Sequence, residues 1–475
     1  YKICNIINNS KYKYFKDMCS FAYDKLAETI HHQGRDEEKT RQKLNTFLTS
    51  PFITNNEQNI AFFMIITEVC ITKNVGDDKN EKDKPEKNTG NYCPDDEAKA
   101  INKMLSVSPK TVDKLKIFSN FLFGLFRALH YDYVKSGNTF NQRPYYKLLI
   151  NFIVLLSEHK NSDLIFNGDY PKLYYLMALS DFLRILHPKS YPGFAVAWLD
   201  LISCKYLVCS FLEIEPNSKI KDNIHKYEKY LYLIIDLLTY VSNLANEGLN
   251  DYQIKFFIEK VYKFFFVLCY TFPEFISNYY FYLLMTLPYG DNFMQLKNLI
   301  LSCGPKEIEK PDPFLEETKN SQEKRKYAVI LFDIANVLQE HGFKGLITEY
   351  VETKNKGITE KIALKLNLSK NREANYFAIN AIVVYWSQKL LKHVQEKKMR
   401  PNDITDFYIK LMKQLDSDNR DHLVNAMLNE LRFPSIQTLF FSDLIVYILR
   451  EIKEETIEEH IIKNMCERMI YKPIP

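Results

Sequence analysis

Apolar residues recur three and four positions apart along most of the chain, which is the spacing of one face of an α-helix. A clear case lies between Asp251 and Tyr270, where Asn250 is placed as the N-cap and Pro273 closes the far end. Its apolar stripe consists of Ile254, Phe257, Ile258, Val261, Phe265 and Leu268. No stretch alternates between apolar and polar residues over the length of a strand. The pattern therefore predicts a series of amphipathic helices, each of which needs a partner.

The segments between the predicted helices are short and contain turn-forming residues, as in Asn167-Gly168-Asp169, Tyr191-Pro192-Gly193 and Arg400-Pro401-Asn402. Short loops between amphipathic helices give antiparallel hairpins, and a long series of hairpins stacks into a solenoid. The sequence has no strict repeat period. We therefore predict an all-α fold, an irregular solenoid of antiparallel helical hairpins.

Two segments interrupt the helical pattern. Residues 73–97 are rich in Lys, Asp and Glu with almost no apolar residues, which is typical of a disordered polyampholyte loop. Residues 303–321 contain Pro305, Pro311 and Pro313, which favour an extended, ordered strap. The predicted organisation is N-terminal helices of the solenoid (1–72), the loop (73–97), a front block (98–302), the strap (303–321) and a rear block (322–475).

Composition narrows the possible functions. The chain has 13 glycines in 475 residues, whereas about 33 would be usual at ~7%. Few glycines leave few tight hairpins and few phosphate-cradling loops, and the sequence contains no G-x-x-x-x-G-K-[ST], G-x-G-x-x-G or G-x-S-x-G motif. His31-His32, the Cys204 and Cys209 pair and the Glu454-Glu455 run fit core or solvated positions better than metal or catalytic sites. We expect no enzymatic activity and no cofactor.

The nine cysteines are odd in number, scattered and mostly embedded in apolar segments, which favours buried free thiols in a reducing compartment. The first residues lack the apolar core of a signal peptide, and the longest uncharged stretch, Phe275 to Gly290, is too short for a membrane span. These features predict a soluble intracellular protein. The chain begins with Tyr1 rather than Met, so we expect a fragment of a longer protein.

Charge and aromatic content leave alternatives open. The net charge of +4 is too small to indicate nucleic acid or membrane binding by itself. Two lysine clusters, near 219–229 and 389–400, suggest an alternative function as an RNA-binding helical module of the translation-factor solenoid type. The 32 tyrosines fit either groove walls that contact a partner or a core that is rich in tyrosine.

Several multi-residue phrases occur in an order that goes beyond a generic solenoid. They are FNQRPYY (140–146), HP (187–188), PGFAVAWLDLIS (192–203), FPEF (272–275), QLKNLILS (295–302), PDPF (311–314), NY (375–376), INA (379–381), NA (425–426), NELRFP (429–434), FFS (440–442) and ER (467–468). In this order they resemble the C-terminal superfamily homology domain of the large scaffold subunit of the CCR-NOT mRNA deadenylase complex. The resemblance covers about residues 110 to 470, and the first ~100 residues match only in helical character.

The sequence departs from this family in two places. The loop at 73–97 has the character of a lineage-specific insertion, and the chain stops at Lys472-Pro473-Ile474-Pro475 where the family has Arg-Pro-His-Pro-Trp-Gly and continues into further helices. We therefore expect any binding surface built by those last helices to be incomplete here.

The resemblance implies a HEAT-like scaffold without catalytic activity, whose partners are the NOT-box subunits of the complex, bound as a heterodimer. In some lineages the domain also receives short peptide motifs from RNA-bound repressors. The implied function is support of mRNA deadenylation, translational repression and mRNA decay. The implied locations are the cytoplasm, the nucleus and processing bodies, with no membrane association and no direct binding of nucleic acid.

Three of the phrases, PDPF, NELRFP and FFS, supply candidate partner-binding residues, because extended peptides in the grooves of stacked helices are held by aromatic and aliphatic anchors. The candidates are Pro311, Asp312, Pro313, Phe314, Arg432, Phe433, Phe440 and Phe441. Other residues of the phrases have a structural interpretation: Trp198 is expected in the core, and Asn380 and Asn425 are expected to satisfy backbone groups.

Overall fold

The computed structural model describes most of the chain. The described residues are 10–31, 37–50, 55–77, 94–107, 114–157, 172–213, 220–247, 252–287, 293–305, 334–396 and 401–470. They form α-helices and two short 3₁₀ helices, with no β-strand in these ranges. The chain divides into two compact units, Tyr1–Tyr240 and Val241–Pro475.

The first unit contains the helices α1 to α9 and most of α10, within which the boundary between the units falls. Their bounds are α1 Ser10–His31, α2 Glu37–Leu48, α3 Asn56–Asp77, α4 Pro94–Val107, α5 Lys114–Ser136, α6 Arg143–Ser157, α7 Lys172–Ile185, α8 Ala195–Ile202, α9 Lys205–Leu212 and α10 Ile220–Glu247, with 3₁₀ helices at Gly137–Thr139 and Pro192–Phe194.

The second unit contains the helices that follow α10. Their bounds are α11 Tyr252–Thr271, α12 Pro273–Thr286, α13 Met294–Leu301, α14 Ile334–Glu340, α15 Lys344–Thr353, α16 Lys356–Leu368, α17 Arg372–Glu396, α18 Pro401–Gln414, α19 Ser417–Asn429, α20 Ile436–Glu451 and α21 Glu455–Ile470.

Alternate helices are neighbours in both units. In the first unit α3 packs on α5 and α4 on α6, and in the second α17 packs on α19, α19 on α21, and α16 on α18. Contact between helix i and helix i+2 builds the two layers of a helical solenoid. The predicted all-α class is therefore confirmed.

The close approach of α3 and α5 in the first unit depends on a glycine. A Cβ atom added to Gly124 would lie 2.7 Å from the Cβ of Phe63 and 2.8 Å from the backbone nitrogen of Met64. Beside this contact the Phe63 and Phe121 rings meet edge to face, with centroids 5.7 Å apart. The absence of a side chain at residue 124 lets the two helices share this aromatic core.

The predicted helix at 251–270 is present as α11, and its buried residues include Phe257, Val261, Phe265 and Leu268 of the predicted stripe. Trp198 is fully buried, and its indole N–H donates to the Leu183 carbonyl at 2.7 Å. The described cysteines are free thiols, and Cys19, Cys70, Cys269 and Cys303 among them are buried. Their burial agrees with the pattern of apolar flanking residues.

The predicted polyampholyte loop is shorter than expected where the structure describes it. Residues 73–77 continue α3, and α4 begins at Pro94. Glu97, which the prediction placed in the loop, is buried and accepts a hydrogen bond from Thr67 at 2.6 Å. This burial holds the first turn of α4 in the core. Residues 78–93, and the strap from 306 onward, lie outside the described residues, so their predicted roles stay predictions.

Among the helices that the structure describes, none is by itself long and apolar enough to cross a membrane, and Pro192–Ile202 with Lys205–Leu212 meets the requirement only as a pair bent by 61°.

Candidate partner-binding surface

Arg432, one of the predicted partner contacts, lies in the connection between α19 and α20 and holds α12 in place. Its guanidinium carbon is 3.6 Å from the centroid of the Tyr280 ring, and Nη1 donates to the Ser277 carbonyl at 3.2 Å. A guanidinium stacked on an aromatic ring and bonded to the backbone is held in a single position. Arg432 is partly exposed. Its outer edge can therefore contact a partner, while its inner face joins α12 to the connection between α19 and α20, which we call the corner.

Glu430 anchors the same corner from the inside. It is buried, accepts a hydrogen bond from the Tyr280 hydroxyl and accepts another from Ser387 Oγ at 2.7 Å. Burial and the neighbouring Glu430 carboxylate raise the pKa of Tyr280 well above its ordinary value, so Tyr280 remains a donor. One carboxylate therefore connects α12, α17 and the end of α19.

Phe433 contacts the backbone at the start of the predicted strap. A Cβ atom added to Gly304 would lie 3.1 Å from Cδ1 of Phe433, so the backbone at Gly304 rests on this ring. Gly304 belongs to the first residues of the predicted strap. Pro311, Asp312, Pro313 and Phe314 lie outside the described residues, and the contact at Gly304 places the start of the strap against Phe433.

The two phenylalanines of α20 have different environments. Phe440 is partly exposed, whereas Phe441 is fully buried and packs against Tyr408 with ring centroids 5.9 Å apart. The prediction that Phe441 contacts a partner is therefore wrong, because this residue lies in the core. Adjacent helical residues are separated by ~100°, so the two side chains cannot share one face.

We expect replacement of Arg432 by methionine to lower the free energy of unfolding of the second unit by about 1 to 2 kcal/mol, because methionine keeps the length of the side chain but loses the stacking charge and the hydrogen bond. Urea unfolding measures the change. Arg450→Met, at an exposed position on α20, is the matched control and should change stability by less than about 0.5 kcal/mol. Equal effects of the two variants would show that Arg432 holds nothing in place.

An asparagine network crosses three alternate helices of the second unit, α17, α19 and α21. Asn429 Nδ2 donates to Asn380 Oδ1 at 3.1 Å, and Asn425 Nδ2 donates to Asn464 Oδ1 at 2.6 Å. The prediction for Asn380 is confirmed, since its Nδ2 donates to the Tyr376 carbonyl at 2.8 Å. Asn425 differs, because its side chain bonds to side chains of α17, α19 and α21 rather than to a backbone group. The sequence phrases contain these residues, but their spacing did not predict the network.

Arg468 completes this network. Its Nη2 donates to Asn429 Oδ1, and desolvation lowers its pKa to about 10, so the guanidinium stays charged at neutral pH. Facing it is a cavity of about 100 Å³. The lining residues are Leu284, Met294, Lys297, Asn298, Leu301, Tyr376, Asp421, Asn425, Asn429, Lys463, Asn464, Glu467 and Arg468. Small-molecule sites usually need about 300 to 1,000 Å³, so this cavity is too small for an ordinary substrate.

The lysine cluster near residues 219–229 is used internally where the structure describes it. Lys229 Nζ pairs with Asp181 at 2.7 Å, and Lys226 is buried. In the second cluster, Lys389 lies over the Tyr385 ring at 5.5 Å, and residues 397–400 lie outside the described ranges. A buried or paired lysine contributes little to phosphate binding, so the described part of these clusters gives no support for RNA binding.

Comparison with known proteins identifies the group to which this chain is related. The family model described as "CCR4-Not complex component, Not1" matches residues 156–475. The CCR4-NOT transcription complex subunit let-711 of Caenorhabditis elegans is 24% identical over 376 residues, which cover 76% of this chain and 14% of that protein. The chain therefore spans a small part of the length of this curated relative.

Solved structures show the same fold over nearly the whole chain. The NOT1 superfamily homology domain from Chaetomium thermophilum has a TM-score of 0.76 at 18% identity and covers 97% of this chain and 90% of that domain. A Not1 C-terminal domain in complex with Not4 has a TM-score of 0.77 at 18% identity and covers 96% and 92%. The structural likeness extends to the first ~100 residues, which precede the family-model match. The family match covers most of the chain and includes the sequence phrases from residue 187 onward. The chain therefore belongs to the family of the CCR4-Not complex component Not1.

Proposed function

We propose that this chain is a non-catalytic scaffold domain of the CCR4-NOT complex that docks the NOT-box subunits as a heterodimer. The observation that carries the proposal is the family match over residues 156–475. A solved Not1 C-terminal domain of the same fold is in complex with Not4, which supports a role in binding other subunits. Through this docking the chain would support mRNA deadenylation, translational repression and mRNA decay.

The corner between α19 and α20 is the proposed docking surface. Phe433 and Phe440 are partly exposed, and the stacked Arg432 holds the corner rigid against α12. Aromatic and arginine side chains on a rigid support are typical anchors of protein interfaces. The predicted strap at 303–321 would extend this surface, since the backbone at Gly304, near its start, rests on Phe433.

Short peptides from RNA-bound repressors would bind at the same docking surface, because extended segments bind helical repeats through spaced apolar anchors. The proposed locations are the cytoplasm, the nucleus and processing bodies, which imaging of the tagged full-length protein tests.

We expect Phe440→Ala to weaken binding of the purified NOT-box heterodimer by tenfold or more, because truncation of a central aromatic anchor commonly costs over ~1.4 kcal/mol. Isothermal titration measures the affinity, and circular dichroism confirms the fold. Leu368→Ala, at a position on α16 that is 72% exposed, is the matched control and should leave affinity unchanged.

Two outcomes would count against the proposal. Absence of any association between the wild-type chain and a folded heterodimer would refute the docking role. Binding that Phe440→Ala and Leu368→Ala leave equally strong would refute the assignment of the surface.

A further inference from the structure

The outer face of α11 carries an unusual number of exposed aromatic and aliphatic side chains. Tyr252 and Tyr270 are 80% and 82% exposed, and Phe256, Phe266 and Val267 are between 44% and 57% exposed. Single exposed apolar residues are ordinary on protein surfaces, but groups of exposed apolar residues on one face indicate an interaction site. These five side chains lie on one 20-residue helix.

The arrangement of this face is regular. At ~100° per residue, the exposed residues fall within an arc of about 140°, and the buried Phe257, Val261 and Leu268 fall on the opposite side. Tyr252 and Phe256 form an apolar group at the start of the helix, and Phe266, Val267 and Tyr270 form another at its end. Tyr252 and Tyr270, the outermost residues of the two groups, are 18 residues apart, which is about 27 Å along a helix.

Charge occupies the space between the two apolar groups. Lys255, Lys260 and Lys263 share the arc with a single acidic residue, Glu259. Lys260 Nζ lies 5.5 Å from the centroid of the Phe256 ring. The middle of the face is therefore net positive, and each end is apolar.

We infer that the outer face of α11 is a docking site for an amphipathic helix of a partner protein, with apolar residues at both ends of that helix and acidic residues in its middle. Such a helix of about five turns would match the two apolar groups with its ends and the lysines with its central carboxylates. The length of the face, and the position of the lysines between its two apolar ends, favour such a helix over a short extended peptide.

A protein partner fits this face better than RNA. Single-stranded RNA is bound by basic grooves that follow the phosphates, with rings free to stack on bases. Here Glu259 lies within the basic segment, and Lys260 stands over one face of the Phe256 ring. The residues of this face on α11 are different from those of the proposed NOT-box docking surface, so the two proposals can fail independently.

The test uses a fluorescent 18-residue helical peptide with leucines toward both ends and glutamates in the middle. We expect it to bind the whole chain in fluorescence anisotropy. Binding should weaken tenfold or more in Tyr252→Ala/Tyr270→Ala and in Lys255→Glu/Lys263→Glu. Leu364→Ala/Leu368→Ala, which removes exposed side chains from α16, is the matched control and should bind like the wild type. The altered residues are exposed, and circular dichroism verifies that each variant is folded.

Three results would overturn the inference. The peptide could fail to bind the wild-type chain, or a peptide with lysines in place of the glutamates could bind equally well. The third is binding of a labelled oligouridine that the α11 variants abolish and that weakens steeply with salt, which would assign the face to RNA. Retained NOT-box binding in the α11 variants would separate this outcome from any failure of the proposed function.

Discussion

Replacement of Glu430 by alanine is expected to lower the free energy of unfolding of the second unit by about 3 to 5 kcal/mol. The variant leaves the hydroxyls of Tyr280 and Ser387 without their acceptor, and both residues are almost fully buried. It also removes the carboxylate whose charge favours the protonated form of the Arg468 guanidinium. Burying donors and cations without a partner is more costly than loss of the hydrogen bonds alone.

Tryptophan provides a reporter for each unit, since the two tryptophans of the chain are Trp198 in the first unit and Trp386 in the second. Urea unfolding of protein labelled with 5-fluorotryptophan, followed by ¹⁹F NMR, separates the two transitions. Glu430→Ala should shift the Trp386 transition and leave that of Trp198 in place. Glu430→Gln is the matched control and should lose about 1 kcal/mol, because an amide can still exchange hydrogen bonds with the two hydroxyls. Equal stability of the alanine variant and the wild type would contradict the anchoring role of Glu430.

Glu97 is expected to make the first unit less stable as the pH rises from about 4.5 to about 7. Burial raises the pKa of its carboxyl to about 7, against the opposing effect of the hydrogen bonds from Thr67 and Cys70. Cys70 hydrogen-bonds to this carboxylate, whose charge also acts on Tyr23 and Tyr145. Both tyrosines have raised pKa values and stay neutral in this pH range.

The sign follows from proton binding. Below pH ~4.5 the carboxyl is protonated in both the folded and the unfolded chain, so the ionisation of Glu97 does not lower the free energy of unfolding. Between pH ~4.5 and ~7 the unfolded chain releases the proton while the folded chain retains it, and stability falls. Above pH ~7 the loss reaches its limit of about 3 kcal/mol.

Glu97→Gln keeps a neutral side chain of the same size at every pH. Its Trp198 transition at pH 8 should therefore lie above that of the wild type by up to about 3 kcal/mol, and the difference should disappear near pH 4.5. Glu57→Gln, at an exposed position on α3, is the control and should follow the wild type at both pH values. A constant offset between Glu97→Gln and the wild type across this range would show that the pKa of Glu97 is the same in the folded and the unfolded chain.

The spacing of apolar residues predicted the helices well, because the residues on the buried face of a helix recur at intervals that the sequence itself shows. The apolar spacing from Ile254 to Leu268 located α11, and the apolar surroundings of Trp198 predicted its burial. The ends of the polar segment at 73–97 were less predictable. The polar composition around Glu97 is that of a loop, but Glu97 is buried and accepts hydrogen bonds from Thr67, which is 30 residues away, and from Cys70.

Side-chain partners between distant helices could not be predicted from spacing within one helix. The Glu430 carboxylate meets Tyr280, which is 150 residues away, and the bond from Asn425 to Asn464 joins two different helices. The pair Phe440 and Phe441 shows the same limit at short range. Both residues are aromatic, and only the packing of α20 on its neighbours decides which one faces the core.

The apolar spacing that predicted α11 did not show that the outer face of this helix is exposed. Its buried stripe is strongly apolar, and the outer aromatics such as Tyr252 and Tyr270 could equally have belonged to a core rich in tyrosine. Exposure depends on which helices cover α11, and this follows from the order of stacking rather than from the composition of the helix. The candidate partner surfaces therefore needed the structure.

The most direct test of the scaffold role is the mass of the species formed when the purified chain is mixed with the purified NOT-box heterodimer at equal micromolar concentrations. Sedimentation velocity should show one species whose mass equals the sum of the chain and both subunits, with little free chain remaining. If the chain and the folded heterodimer sediment as two separate species across this concentration range, the chain does not dock the NOT-box subunits.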